Sequence, residues 1–89
     1  MLIVPQNNTT CLVNLNSVKK IDIFKFSDFE ELYSVRVHYG DEDLEGWFDN
    51  LYPSKVVAEK VLSAFKKIYL NKTNSIFYFP SKDIKEEEL

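Results

Sequence analysis

Polar and apolar positions alternate through the first half of the chain, then change period once. Over Val18–Phe26, Ile21 and Ile23 point one way while Lys20, Asp22, Phe24 and Phe26 point the other. Leu32–Tyr39 alternates again, with Tyr33, Val35, Val37 and Tyr39 on one face and Leu32, Ser34, Arg36 and His38 on the other. Leu44–Asn50 reads as the partner strand, across the turn signal Gly40–Asp43. Thr10–Leu15 is rich in residues that suit a pleated surface and reads as an earlier strand, with Cys11, Val13 and Leu15 together. Met1–Val4 reads as a short strand or a loose end, and Ile76–Phe79 as an edge strand stopped by Pro80. The period changes in Ser54–Leu70. There Ala58, Val61, Leu62, Phe65, Ile68 and Tyr69 recur at offsets of 0, 3, 4, 7, 10 and 11, one apolar stripe of an α-helix. Ser54 is its expected N-cap, and Lys66 and Lys67 are expected in the last turn, where cations suit the helix dipole.

A helix with one apolar stripe needs a surface to cover. The spacing of the turns supplies one. A loop at Ser27–Glu31 sets Phe26 opposite Leu32, Ile23 opposite Val35 and Ile21 opposite Val37. A loop at Gly40–Asp43 sets Tyr39 opposite Leu44, Val37 opposite Gly46 and Val35 opposite Phe48. Both pairings give one buried face, Ile21, Ile23, Tyr33, Val35, Val37, Tyr39, Leu44 and Phe48. The expected fold is α+β, an antiparallel β-meander of three to five strands with one amphipathic helix packed on one face, in the order β-β-β-β-α-β. Residues 1–80 form a single domain, and 81–89, with its three glutamates, reads as a frayed acidic tail or a helical turn.

Composition narrows the function classes. The chain has 89 residues, 15% aromatic, with two Gly and three Pro, which suits one domain of regular elements and short turns. A net charge of −3 gives no basic footprint and argues against nucleic acid as a partner. Cys11 is the only cysteine and His38 the only histidine, so neither an internal disulfide nor a zinc site of Cys and His is available; no cofactor is implied. A lone cysteine suits a reducing compartment. The first residues lack the charge and apolar run of a secretory signal, and no stretch approaches a membrane span, so a cytoplasmic protein without a membrane partner is expected.

The outward face of the meander carries the candidate site. The same register places Asp22, Arg36 and Trp47 in one row and Phe24, Ser34 and Asp49 in the next, with Phe26 beside Leu32. Arg36 beside Trp47 can stack as a cation–π pair and still reach Asp22. A face with Phe24, Phe26, Arg36, His38 and Trp47 is more apolar than water contact alone selects for. Three covers compete for it: the chain's own N-terminal segment or Ile76–Phe79, a second copy of the chain, or a protein partner.

The acidic residues form two loops at opposite ends of the sheet, Asp28, Glu30 and Glu31 in one, and Asp41, Glu42, Asp43 and Glu45 in the other. Both read as solvated turns. The second also offers an alternative site, charge mimicry of nucleic acid towards a basic groove on another protein. His38 is expected opposite Glu45 near the hairpin end, with no nucleophile at a useful spacing and no glycine-rich phosphate loop, so the chain does not read as an enzyme.

Two segments, IVPQNNTTCLVNLNSVKKI and SKVVAEKVLSAFKKIY, together resemble small uncharacterised proteins of phages and mobile elements in low-GC Gram-positive bacteria. The resemblance spans most of Ile3–Tyr69 and rests mainly on strand and helix periodicity. It implies a cytoplasmic location and a phage or mobile-element origin, and carries no catalytic residues over. The leading expectation is a non-enzymatic protein-interaction domain, self-associating or bound to a protein partner through the outer sheet face. The alternative is a phage-encoded inhibitor of a host defence protein, acting by binding or by mimicry through its acidic loops.

Overall fold

In the computed structural model, which describes residues 1–7, 12–40, 45–71 and 76–89, the strands divide between two sheets. The elements are β1 (Leu2–Val4), β2 (Val13–Asn14), β3 (Val18–Lys25), β4 (Tyr33–Gly40), β5 (Glu45–Tyr52), α1 (Lys55–Asn71) and β6 (Ile76–Tyr78). The expected α+β class and the run of strands, helix and final strand are found. One sheet is the meander β3-β4-β5; the other is β2-β1-β6, in which β1 and β6 are parallel.

The β3–β4 register is the expected one, with Ile21 opposite Val37 and Ile23 opposite Val35. Phe26 N donates to Leu32 O at 2.8 Å, closing the hairpin where the alternation placed it. The β4–β5 register differs by two residues: Val37 lies opposite Phe48, Val35 opposite Asn50 and Tyr39 opposite Gly46. Two features favour this pairing. Gly40 takes a φ of 129°, a conformation natural to glycine, and stays in the ladder opposite Glu45. Tyr39 lies over Gly46, where a Cβ would stand 2.9 Å from its Cζ. A slip of two keeps every side chain on its face. The inner face therefore keeps Phe48 and gains buried Asn50 and Tyr52, while Leu44 lies outside the described residues.

Of the strand expected over Thr10–Leu15, the described residues keep Val13–Asn14; Leu12 lies outside it and Leu15 opens a 3-10 turn over Leu15–Ser17. Asn14 causes the break: its Oδ1 caps the turn by accepting from Asn16 N at 2.9 Å, while Leu15 N donates to Met1 O at 2.9 Å. Thr10 and Cys11 lie outside the described residues.

Ser54 caps α1 as expected, with Val57 N donating to Ser54 Oγ at 3.2 Å. The helix runs to Asn71, which leaves Lys66 and Lys67 a turn short of its end and corrects their expected place in the last turn. Its buried face is Val57, Ala58, Val61 and Phe65, with Leu62 and Ile68 partly buried and Tyr69 exposed. That face meets Val35, Val37 and Tyr52 from the meander and Ile3, Val13, Phe77 and Phe79 from the second sheet side in one core. Phe65 meets Phe77 edge-on at 5.2 Å between ring centroids, and Phe79 touches both Phe65 and Phe48. The tail makes a 3-10 turn at Glu86–Glu88, with Ile84 and Leu89 against the core and Lys60 Nζ 2.9 Å from Glu86 Oε1. No helix of the described residues is long and apolar enough to cross a membrane.

Candidate interaction face

The second sheet joins the core on the helix side of the meander, so the outer face of the meander is left with its own residues. β3 brings Lys20, Asp22 and Phe24 to it, β4 brings Ser34, Arg36 and His38, and β5 brings Trp47, Asp49 and Leu51, because side chains alternate along each strand. The two-residue shift in β5 redraws the expected rows. Asp22, Arg36 and Asp49 now lie in line, as do Lys20, His38 and Trp47, and Phe24, Ser34 and Leu51. Arg36 is therefore opposite Asp49 and not Trp47, and His38 is opposite Trp47 and not Glu45.

Arg36 is the centre of the face. Its guanidinium carbon lies 4.4 Å from the centroid of Phe24 and 5.4 Å from that of Trp47. Nε donates to Asp49 Oδ1 at 2.7 Å and Nη2 to Asp49 Oδ2 at 3.2 Å, a two-pronged grip. Ser34 Oγ, fully buried beneath them, donates to the same Asp49 Oδ1 at 2.7 Å. Partial burial pushes the Asp49 carboxyl up, but the hydrogen bonds from Arg36 and Ser34, with the charge of Arg36, outweigh it and hold the group below the usual carboxylate range. The hydrogen bond to Asp49 raises Arg36 in return. The guanidinium is thus stacked, aimed and permanently charged.

Around this centre the described charges of the face are paired. His38 Nε2 donates to Asp22 Oδ1 at 3.2 Å, and Lys20 Nζ lies 3.4 Å from Asp22 Oδ2. Lys19 reaches across the bare Gly40 to Glu45, at 2.7 Å, and that hydrogen bond keeps the Glu45 carboxyl below its ordinary range. Lys19 sits at an irregularity in β3, between Val18 and Lys20. A concavity of about 370 Å³ opens at this end of the sheet, bordered by Lys19, His38, Glu45 and Trp47.

The structure brings Phe24, Arg36, His38 and Trp47 together as expected, with Phe26 at the rim, its ring 6.5 Å from that of Phe24. Trp47 is 59% exposed and Phe26 45%. Of the alternative acidic site, Asp41, Glu42 and Asp43 lie outside the described residues, and Glu45 is held by Lys19. The alternation does not reveal the grip of Asp49 on Arg36 or the hydrogen bond from Ser34 to Asp49. The signal was present, since Asp49 shares the outward parity of Arg36, but the two-residue slip hid it.

His38 gives its hydrogen bond to Asp22 and Ser34 gives its own to Asp49, so the two do not form a base and a nucleophile. Among the described residues no three His, Cys, Asp or Glu side chains are grouped to hold a metal ion. No protein-family model matches the chain, and neither the curated proteins nor the solved structures give a match.

Proposed function

We propose that this chain is a small non-enzymatic protein-interaction domain that docks a protein, a partner or a second copy, on the outer face of its meander. One observation carries the reading: Arg36 is fixed between Phe24 and Trp47 by Asp49 while Trp47 stays more than half exposed. Arg and Trp are the residues from which interface hot spots are most often built. A side chain already held in one geometry loses little entropy when a partner arrives. A cytoplasmic setting belongs to the same reading, supported by the single cysteine. A phage or mobile-element origin rests on the resemblance of the two segments alone.

The test is the double substitution Phe24→Ala with Trp47→Ala. The expected result is a folded protein, by circular dichroism and cooperative urea unfolding, that has lost self-association or the binding of its partner. Loss of folding would make the face part of the core, and unchanged binding by a folded variant would remove it as the contact surface.

A further inference from the structure

Phe29 is the most exposed large apolar residue described, at 99%. It stands at the tip of the β3–β4 loop, and the loop is not slack. Ser27 Oγ accepts from Phe29 N at 3.2 Å and from Glu30 N at 3.3 Å, and Leu32 N donates to Glu30 O at 2.8 Å. The turn presents one aromatic ring to solvent with Asp28, Glu30 and Glu31, all exposed, beside it. An aromatic prong in an acidic collar fits an apolar recess with a basic rim.

The same chain carries such a recess on another element. A concavity of about 420 Å³ lies on α1, with Ala64, Ile68 and Leu89 as its apolar lining and Lys60 and Lys67 at its rim. Lys60 already meets one carboxylate there, that of Glu86 at 2.9 Å, while Lys67 meets none among the described residues. With Phe29 almost wholly in solvent, a chain does not fill its own recess.

We propose that two copies of the chain associate by placing the Phe29 prong of one in the α1 recess of the other, with Glu30 and Glu31 at Lys67, the rim lysine that Glu86 leaves open. The occupant follows from complementarity: ring against Ala64, Ile68 and Leu89, and carboxylates against Lys67. Prong and recess are different surfaces, so one contact alone is heterologous, whereas the reciprocal pair of contacts is isologous. The association closes into a two-fold pair when both contacts form at once, and otherwise runs on into longer chains. This surface is separate from the outer sheet face, and the two readings stand or fall independently.

Sedimentation velocity over a range of protein concentrations tests it. The wild type is expected to gain mass with concentration. Phe29→Ala is expected to weaken this by about thirtyfold or more, as for a central hot-spot residue. It touches no core residue, and its folding is checked by urea unfolding. Glu30→Lys with Glu31→Lys in one variant, and Lys67→Glu in another, should each be monomeric alone and associate when mixed, because mixing restores opposite charges at both contacts. Lys67→Glu leaves the Lys60–Glu86 pair in place. Three results overturn the proposal: a wild type that stays monomeric, a folded Phe29→Ala that associates as before, or charge variants that fail to complement. If association survives Phe29→Ala but is lost with Phe24→Ala and Trp47→Ala, the prong is discarded and the outer-face reading stands. The opposite pattern keeps the prong and removes the outer face as the self-association surface.

Discussion

The side chain of Gln6 pairs with the backbone of Leu51 as a neighbouring strand would. Nε2 donates to Leu51 O at 2.8 Å, and Leu51 N donates to Oε1 at 2.8 Å. Nε2 also reaches Pro80 O at 3.1 Å, and the backbone N of Gln6 donates to the buried Asn50 Oδ1 at 2.8 Å. Asn50 in turn donates to Val35 O at 2.9 Å. One residue after β1 thus ties together the meander edge, its central strand and the segment after β6. It also occupies the edge of β5 at Leu51, where a free pair of peptide groups could recruit another strand.

Replacing Gln6 tests this latch. Gln6→Ala removes three hydrogen bonds and should cost about 1–3 kcal/mol, partly offset where water reaches Leu51. Gln6→Glu keeps the size but turns an acceptor towards the carbonyls of Leu51 and Pro80. It should be at least as damaging at neutral pH. Protonation restores a donor, so the folded state of that variant holds its proton more tightly than the unfolded chain. Its stability relative to wild type should therefore recover as pH falls. Urea unfolding at several pH values measures both, and equal stability of Gln6→Ala and wild type would remove the latch.

Tyr52 provides a second probe of the same corner. Its ring is fully buried, and its hydroxyl donates to Pro80 O at 2.9 Å. Burial raises its pKa well above the ordinary tyrosine range. A raised folded-state pKa contributes stability that is complete below the unfolded value, about 10, and is lost as pH rises beyond it. Tyr52→Phe should cost about 0.5–1.5 kcal/mol at neutral pH. It should also flatten the alkaline limb of the curve of Tm against pH. An alkaline limb unchanged by the substitution would count against Tyr52 as its source.

The parts of the fold legible in the sequence were those with a long, clean period. Alternation over Lys20–Phe26 and Leu32–Tyr39, on either side of Ser27–Glu31, sets the β3–β4 register, and the apolar stripe locates α1. The second sheet left no such trace. β1 and β6 are three residues each, too short for alternation to distinguish from a loose end, and they pair in parallel across most of the chain. The contribution of Gln6 is a single amide in a turn, which no hydrophobic pattern records. At the site, residue types on the outer face were readable from parity, but their partners were not. A two-residue slip preserves parity while exchanging Trp47 for Asp49 opposite Arg36. Phe29 leaves no signal in the pattern because its acidic neighbours make the loop read as polar.

Asp49 should govern the acid side of stability. Its folded-state pKa lies below the ordinary value, so its contribution is complete above that value and is lost as pH falls through the folded one. Asp49→Asn keeps the shape but gives up the charge that faces Arg36. The variant should show a lower Tm by several degrees at neutral pH, and the gap should narrow below about pH 5 as the wild-type carboxylate takes up its proton. Because Trp47 is the only tryptophan, its fluorescence gives a local reading of the same change. Releasing Arg36 from Asp49 should alter Trp47 emission in the folded protein. An unchanged spectrum would mean that Asp49 does not set the position of the stacked guanidinium.

The two aromatic residues of α1 separate what periodicity assigns from what packing uses. Phe65 and Tyr69 belong to the same stripe and stack on each other, with centroids 6.4 Å apart. Only Phe65 is buried, wedged against Phe77 and Phe79, which are themselves edge to face at 5.1 Å. Phe65→Ala should cost about 3–5 kcal/mol, the usual range for emptying a buried aromatic site. Against a typical stability of about 5–15 kcal/mol that is enough to bring the protein near unfolding at moderate temperature. Tyr69→Ala should cost about 1 kcal/mol or less, since half of the ring is in water already and its removal opens no closed cavity. Urea midpoints of the two variants decide it. Similar losses would mean that the helix buries the whole stripe and not the narrower face that Val57, Ala58, Val61 and Phe65 define.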